Sequence, residues 1–280
     1  MAKDELDLSA VRREIDEVDS ALHDLLMRRA KIVDKVKAAK AASDTASYRP
    51  GREAEVLRRL ADRHQGSFPA PAIYRIWREI MAASVAMQDN FTCAVWDGED
   101  GVFGAIARDH FGVVTPQSRY STPGRVLNAV SRGDNSAGLL PLPQQDDETP
   151  WWPLLYGGDV DSLAICGRAP CDSTDPRPGA LVIGKFAPEE TGADRSYLII
   201  ETDGSLSRAG LSATLGTAGL EAVSLLLAPA QAMGGALFLA EIKGFYPPGS
   251  GAAADMIEET DGIANATFIG ACPLPLGMAE

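Results

Sequence analysis

Apolar residues recur at helical spacing through the first part of the chain. From Val11 they follow one another every three or four positions, through Leu22 and on to Val36. This period places them along one face of a helix. Residues 8 to about 45 contain neither Gly nor Pro, so they predict one helix of roughly 55 Å, with Ser9 as the expected N-cap.

Two shorter helices are expected next. The second begins after Pro50-Gly51 and ends near Gly66. The third runs from about Pro69 to Asn90, with Pro69 and Pro71 in its first turn. Three helices of such unequal length leave part of the first one uncovered. Dimerisation is the simplest way to cover it, and contact with the C-terminal part of the chain is the rival explanation.

The rest of the chain predicts an α/β region. Residues 91–190 alternate short apolar runs with helix-like pieces. Residues 195–276 then follow the order strand, helix, strand, strand, helix, strand, which is the ferredoxin-like pattern. The expected strands are Phe91–Val95, Ala137–Leu140, Ser162–Cys166, Ala180–Ile183, Tyr197–Glu201, Ala222–Leu227, Ala236–Ile242 and Thr267–Cys272. The expected helices are Gly104–Phe111, Pro123–Ser131, Ser207–Thr217 and Ala252–Thr260.

One uncharged stretch, residues 222–240, is long enough to be mistaken for a membrane span. Pro229, Gln231 and Gly234-Gly235 interrupt it, so it predicts two strands joined by a turn. The chain opens on polar, mostly acidic residues and has no pattern of a secretory signal. We therefore expect a cytoplasmic protein that does not enter membranes.

Charge divides the chain near residue 90. Residues 1–90 carry 16 Lys and Arg against 15 Asp and Glu, whereas residues 91–280 carry 10 against 24. The chain has no basic stripe that would neutralise phosphates, which argues against nucleic acid as a partner. The four cysteines lack the paired spacing of zinc ligands and are expected to be reduced structural thiols.

Arg29 interrupts the apolar stripe of the first helix. It occupies a step of the repeat between Leu25 and Ile32, so its guanidinium is expected to point inward. A buried charge without a partner costs several kcal/mol unless something anionic compensates it. The sequence therefore predicts that this helix encloses an anion.

Other polar residues can be placed relative to Arg29. Lys40 lies three helical turns further on and on nearly the same face, whereas Arg12 points about a quarter turn away. One site cannot easily take all three from one helix, so Arg12 is expected to cross to a partner chain. The second helix opens with Arg52-Glu53, and Ser84 and Gln88 form an i, i+4 pair on the third.

Five segments on these helices form a larger pattern: V-R-R-E-I-D-E-V-D from residue 11, L-L-M-R-R from 25, V-K-A-A-K from 36, R-E-A-E-V-L from 52 and S-V-A-M-Q from 84. They resemble the all-helical chorismate mutases, in the order of that family and at similar spacing. The resemblance covers about residues 8–90. It implies an intertwined homodimer with two equivalent sites, in which Arg12 comes from the other chain. The matching site positions are Arg12, Arg29, Lys40, Arg52, Glu53, Ser84 and Gln88.

The resemblance implies a unimolecular Claisen rearrangement of chorismate to prephenate, which needs no cofactor or metal. Arg12 and Arg29 would hold the two substrate carboxylates in the reactive conformer. Lys40 and Gln88 would stabilise the charge that develops on the ether oxygen. Glu53 would accept from the substrate hydroxyl, while Arg52 and Ser84 would assist substrate binding.

One position departs from that family. Family members often carry an acidic residue three places before the Arg-Glu pair, where this chain has Arg49. A substrate contact there is in doubt, and Asp44 is a more distant substitute.

The C-terminal region resembles a degenerate prephenate dehydratase followed by an ACT-like regulatory unit. Asp97-Gly98-Glu99-Asp100-Gly101-Val102-Phe103 resembles the glycine-rich opening of the dehydratase, and Gly138-Leu139-Leu140-Pro141 resembles its strand before a proline. The Thr-Arg-Phe signature has at best Asp194-Arg195-Ser196 in its place, so dehydratase activity is expected to be absent.

The phenylalanine-binding signatures of ACT units are also missing. Their places hold only Arg208-Ala209-Gly210-Leu211 and Leu220-Glu221-Ala222-Val223. An aromatic amino-acid effector or a partner enzyme is therefore an open alternative to a plain scaffold. The expected domains are residues 1–90, all-helical mutase; 91–192, α/β and truncated dehydratase-like; and 193–280, ACT-like with the ferredoxin fold.

The expected function is chorismate mutase in phenylalanine and tyrosine biosynthesis. Three alternatives remain: a bifunctional mutase and dehydratase, an isochorismate pyruvate lyase of the same helical fold, and a non-catalytic regulatory or binding protein. Glu53 and Ser84 favour the mutase over the lyase.

Overall fold

A computed structural model describes residues 7–40, 46–98, 100–156, 163–229 and 235–278, with the side chain of Lys40 outside that description. The N-terminal part contains three helices, α1 (Leu8–Lys40), α2 (Pro50–Arg63) and α3 (Ala70–Gln88). The three predicted helices are thus present. The predicted extension of α1 to about residue 45 falls on residues 41–45, outside the described part of the chain.

The start of α1 differs from the sequence prediction. Ser9 lies inside the helix, and Asp7 caps it instead. The Asp7 carbonyl accepts from the backbone of Ala10 at 2.9 Å and of Val11 at 3.0 Å, while its carboxylate accepts from the Ser9 backbone at 3.0 Å. Asp and Ser are both good N-caps, so local sequence does not separate two such residues standing two apart.

The helices α2 and α3 differ slightly from their predicted bounds, since α2 begins earlier, at Pro50, and both helices end two or three residues sooner than predicted. The helix α2 ends at Arg63 because His64 adopts an extended backbone, with φ of −66° and ψ of 127°. Pro69 is the N-cap of α3, and Pro71 lies in its first turn.

The three helices have different neighbours. The helix α3 lies between α1 and α4 (Val102–Phe111), whereas α2 lies on strands β4 (Ala164–Ala169) and β9 (Ile263–Pro273). The Arg58 guanidinium of α2 donates to the carbonyls of Ala193 at 2.7 Å and Leu274 at 3.3 Å. The described residues do not cover the outer face of α1, on which Val18 and Leu25 are 58% and 59% exposed.

The C-terminal region is one mixed sheet of nine strands, in the order β2-β1-β3-β5-β4-β9-β6-β8-β7. The other strands are β1 (Cys93–Trp96), β2 (Gln117–Tyr120), β3 (Ala137–Pro141), β5 (Ala180–Gly184), β6 (Asp194–Thr202), β7 (Ala222–Leu227) and β8 (Ala236–Lys243). The other helices are α5 (Pro123–Ser131), α6 (Arg208–Thr217) and α7 (Ala254–Glu259).

The predicted α/β class is confirmed, and each predicted strand or helix overlaps an observed one. The edge strand β2 was not predicted, because its polar sequence Q-S-R-Y has no apolar face. The last four strands are antiparallel to one another in the order β9-β6-β8-β7, which is the ferredoxin-like arrangement. Within the described residues, no helix is both long and apolar enough to cross a membrane.

The two parts of the sheet meet at a short parallel contact between β4 and β9. Gly270 pairs with Ile165 there. A Cβ atom on Gly270 would lie 2.2 Å from the Ile165 carbonyl oxygen. Only glycine therefore allows these two strands to approach so closely.

The helical part and the sheet share one of the apolar cores. Tyr48, Val85 and Phe91 pack with Ile106 of α4 and Val182 of β5. The rings of Tyr48 and Phe91 have their centroids 4.9 Å apart. The helical part is therefore fixed against the C-terminal region by a buried aromatic contact.

Candidate active site

Arg29 reaches from α1 to the facing side of α3. Its guanidinium donates to the Ile80 carbonyl at 3.4 Å and to the Ser84 hydroxyl. The side chain is half-buried, and burial lowers the pKa of the guanidinium from its ordinary value. Among the described residues, no carboxylate lies within ion-pair distance of Arg29. A half-buried cation with only neutral partners is suited to bind an anion.

Ser84 contacts Arg29, and Gln88 follows Ser84 one helical turn further along α3. The buried Ser84 hydroxyl donates to the Ile80 carbonyl at 2.7 Å, and Gln88 Nε2 donates to the Ser84 carbonyl at 2.9 Å. Gln88 Oε1 is buried and has no partner in the described part of the chain. One helix-helix contact thus offers a guanidinium, a hydroxyl and an amide together.

Glu53 lies elsewhere, between α2 and α3. Its Oε2 accepts from Arg78 at 2.6 Å, and both side chains are buried. Burial disfavours the charge of Arg78, but Cys171 and Glu53 beside it raise the pKa of the guanidinium above its ordinary value. Glu53 is therefore part of an ion pair that faces the C-terminal region.

The remaining predicted site residues do not join either group. Arg52 is exposed and pairs with Glu55 at 2.7 Å. Arg12 is exposed near the start of α1. The Lys40 side chain lies outside the described part of the chain. Of the predicted site residues whose side chains the structure describes, Arg29, Ser84 and Gln88 are the three joined at one contact between α1 and α3.

The position that departs from the mutase family can also be located. Arg49, which stands where the mutases often have an acidic residue, pairs with Glu189 of the C-terminal region at 2.5 Å. Asp44 lies outside the described residues.

Sequence reasoning missed Arg78, although a signal was present. Arg78 precedes Met81, Ala82 and Val85 on α3, and these four buried residues follow the i, i+3, i+4, i+7 spacing of one face. The periodicity that singled out Arg29 on α1 applies equally to Arg78.

A cleft separate from the Arg29 contact lies at the carboxyl ends of β1 and β2. It encloses about 650 Å³ and is lined by Trp96, Tyr120, Arg119 and Arg125. Arg119 pairs with Asp97 at 3.0 Å. The glycine-rich stretch named above begins there, and Gly98 and Gly101 have φ of 55° and 63°. Its Glu99 lies outside the described residues.

The residues in place of the Thr-Arg-Phe signature are buried at the start of β6. Asp194 accepts from the Thr191 backbone and hydroxyl, each at 2.7 Å. The Ser196 hydroxyl donates to the Gly244 carbonyl at 2.8 Å and accepts from the Tyr246 backbone at 2.7 Å. Both side chains thus serve the backbone of neighbouring loops.

Comparisons with known proteins match both the helical part and the whole fold to known proteins. Residues 11–89 match the family model for chorismate mutase type II. A bifunctional chorismate mutase/prephenate dehydratase of Stutzerimonas stutzeri is 30% identical over 141 residues, covering 48% of this chain and 38% of the relative. One from Neisseria gonorrhoeae is 36% identical over 102 residues, covering 36% of this chain and 27% of the relative. The chain thus spans about two fifths or less of the length of these curated relatives.

Among solved structures, a prephenate dehydratase from Arthrobacter aurescens in complex with L-Phe superposes with a TM-score of 0.50. The match covers 68% of this chain and 92% of the other, at 11% identity, which shows a shared fold. The chain therefore carries a chorismate mutase type II domain at its N terminus, followed by a region with a prephenate dehydratase-like fold.

Proposed function

We propose that the protein is a chorismate mutase that converts chorismate to prephenate. The observation that carries the proposal is Arg29, a half-buried cation whose partners on α3 are neutral, within a domain that matches the mutase family. A substrate carboxylate supplies the missing anion. The Ser84 hydroxyl holds the Arg29 guanidinium in position for that carboxylate.

The reaction breaks a C–O bond and forms a C–C bond within one molecule, so the enzyme has to fold the substrate and stabilise charge. Arg29 and Arg12 hold the two carboxylates. Lys40 and the Gln88 amide donate to the ether oxygen as it gains charge, and Arg52 assists binding. Glu53 accepts from the substrate hydroxyl through Oε1, because Arg78 already donates to its Oε2.

The proposal includes a homodimer in which Arg12 crosses to the other site. Large apolar residues of α1 are exposed in the single chain, among them Ile15, Val18, Leu22 and Leu25, each more than half exposed. A contiguous apolar face of this size is typical of a protein interface. A second copy packed on it covers the face and brings a second Arg12 to the site.

An assay of chorismate conversion to prephenate by the purified full chain tests the proposal. Arg29→Ala removes a carboxylate partner and is expected to lower kcat/KM by roughly 100-fold or more. Arg28→Ala is the matched control, since Arg28 is the exposed neighbour on the same helix. The proposal fails if the wild-type chain does not turn over chorismate, or if both variants have the same activity.

We further propose that the region after residue 90 is non-catalytic and that its domains divide near residue 192. The support is that Asp194 replaces the signature threonine and that Asp194 and Ser196 are engaged in backbone contacts. Added prephenate is then expected to yield no phenylpyruvate. Formation of phenylpyruvate would instead establish the bifunctional enzyme, and release of pyruvate from isochorismate would establish the lyase.

Residues 193–280 are proposed to be an ACT-like unit that serves as scaffold. The solved relative from Arthrobacter aurescens binds L-Phe. In this chain the Ser207 hydroxyl caps the start of α6, where it accepts from the Gly210 backbone N–H at 3.1 Å. Mutase activity is therefore expected to be unchanged by phenylalanine or tyrosine, and inhibition by either would identify the unit as a sensor.

A further inference from the structure

A cavity of about 430 Å³ lies between α3, the C-terminal half of α4 and the loop that joins β4 to β5. It is separate from the Arg29 contact and from the cleft at the carboxyl ends of β1 and β2. Pro71 of α3, with Pro170 and Pro176 of the loop, gives part of its wall an apolar surface. Its volume falls within the range of small-molecule sites, so it can hold the apolar body of a small ligand.

Four charged residues on the wall of this cavity neutralise one another. Arg177 pairs with Asp109 at 2.7 Å and with Asp175 at 2.5 Å. Arg75 pairs with the other oxygen of Asp109. Two cations and two carboxylates thus alternate along this side of the cavity. Their charges cancel, so they favour neither an anion nor a cation as the ligand.

The other two basic residues of the described wall do not favour an anion either. Arg78 is only 5% exposed and pairs with Glu53 at 2.6 Å. Burial, with Arg78 nearby, lowers the pKa of His110 well below its ordinary value, so the ring is neutral. The positive charges on the described wall are therefore all matched by carboxylates.

Asp172 is the charged residue of this wall that has no ion-pair partner in the described part of the chain. Its Oδ1 accepts from the Thr174 backbone at 3.0 Å, whereas its Oδ2 has no partner among the described residues. Two backbone bonds fix the loop: Ser173 donates to the Leu276 carbonyl at 2.9 Å, and Leu276 donates to the Cys171 carbonyl at 2.8 Å. Asp172 is partly exposed, so its carboxylate is held in position and remains open to a ligand.

An aromatic ring lies near this carboxylate. Tyr74 of α3 lines the same cavity, and burial, together with the Asp172 carboxylate, raises the pKa of its hydroxyl above the ordinary value. An ammonium group is attracted both to a carboxylate and to the face of an aromatic ring. An unmatched carboxylate close to a tyrosine therefore favours a cationic ligand over an anionic one.

We propose that this cavity binds a small organic ammonium ion, whose charged group pairs with Asp172 Oδ2 and whose apolar body lies against Tyr74 and the three prolines. The proposal does not depend on the mutase reaction. It assigns a ligand site to the junction of the helical domain and the sheet.

Calorimetric titration of the full chain with 2-phenylethylamine tests the proposal. Two probes of similar size, the neutral 2-phenylethanol and the anionic 3-phenylpropionate, separate the effect of charge from that of apolar surface. The amine is expected to bind roughly tenfold more tightly than the alcohol, and the anion more weakly than either. Added salt is expected to weaken binding of the amine and not of the alcohol, because it screens the attraction between charges.

Asp172→Asn removes the charge but keeps an oxygen that can accept from the Thr174 backbone, so the loop is expected to keep its conformation. This variant is expected to bind the amine roughly tenfold more weakly and the alcohol unchanged. Asp203→Asn is the matched control, because the exposed Asp203 makes the same kind of turn, accepting from the Ser205 backbone at 2.8 Å. Asp203 does not line the cavity, and both variants change the net charge equally.

Backbone amide NMR of the wild-type protein gives a second measurement that needs no variant. The Thr174 amide, which donates to Asp172, is expected to shift when the amine is added, and the Ser205 amide is expected not to shift. The proposal is overturned if millimolar amine does not bind or binds no better than the alcohol. It is also overturned if the Thr174 resonance does not respond, or if the two Asn variants bind the amine equally.

Discussion

Two arginines of the helical domain, the buried Arg78 and the half-buried Arg29, have opposite environments. Arg78 is neutralised by Glu53 at 2.6 Å, whereas the partners of Arg29 among the described residues are a carbonyl and a hydroxyl group of α3. Removing a cation from water costs several kcal/mol when nothing anionic compensates it. The paired arginine therefore supports the structure, and the unpaired one is placed to hold a ligand.

His110 makes the free energy of unfolding depend on pH. Burial and the nearby Arg78 lower its pKa, so the folded state binds its proton less readily than the unfolded state. The stability that the neutral His110 supports is therefore fully present above the pKa of histidine in the unfolded chain, about 6.5, and it is lost as the pH falls below that value. The free energy of unfolding is expected to fall by up to about 1.4 kcal/mol per pH unit there.

Denaturant unfolding of wild type and His110→Phe at several pH values between 7.5 and 5.5 checks this expectation. The variant is expected to lose less stability over that interval, because it lacks the titrating group. Equal slopes for the two proteins would contradict the assignment. The pH titration of the wild-type imidazole resonances provides the same test if the variant does not fold.

The junction of β4 and β9 joins the two halves of the sheet. Gly270 allows the close approach of these strands, and its φ of 152° lies where side chains are rarely accepted. A methyl group there meets backbone atoms of Ile165, which cannot move away without breaking the sheet. The junction is therefore sensitive to the smallest substitution.

Gly270→Ala is expected to destabilise the protein by about 1–3 kcal/mol, as overpacking in a core does. Gly216→Ala is the matched control, because that glycine lies in α6 with open space around its Cβ position. The control is expected to be neutral or stabilising by about 0.5–1 kcal/mol. Thermal unfolding checks both, and equal melting temperatures for the two variants would argue against a constrained junction.

Sequence patterns predicted elements better than the contacts between them. The apolar repeat of α1 and the βαββαβ order are local signals, and both were predicted correctly. The packing of α2 on β4 and β9, and the pairing of Ile165 with Gly270, join residues that lie about 100 or more positions apart. No local pattern encodes such contacts. The periodicity of α3 could have placed Arg78 on its buried face, but it does not name Glu53 as the partner.

The described part of one chain does not assemble the proposed site. Arg29, Ser84 and Gln88 lie together, while Arg12 is exposed near the far end of α1. The apolar outer face of α1 is the surface on which a second copy is proposed to pack. In a symmetric dimer the same contact is made twice, so two equivalent sites result.

Mixing two variants tests this arrangement most directly. Arg12→Ala and Arg29→Ala are each expected to lose activity by roughly 100-fold or more, because each damages both sites of its own dimer. In a mixed dimer, one site has both substitutions and the other has neither. Unfolding and refolding the variants together is therefore expected to restore about a quarter of the wild-type rate of prephenate formation.

Recovery of that rate would establish that one site uses residues of both chains. If mixed dimers form, as native mass spectrometry can show, and chorismate turnover stays at the level of the separate variants, the proposed shared site is contradicted.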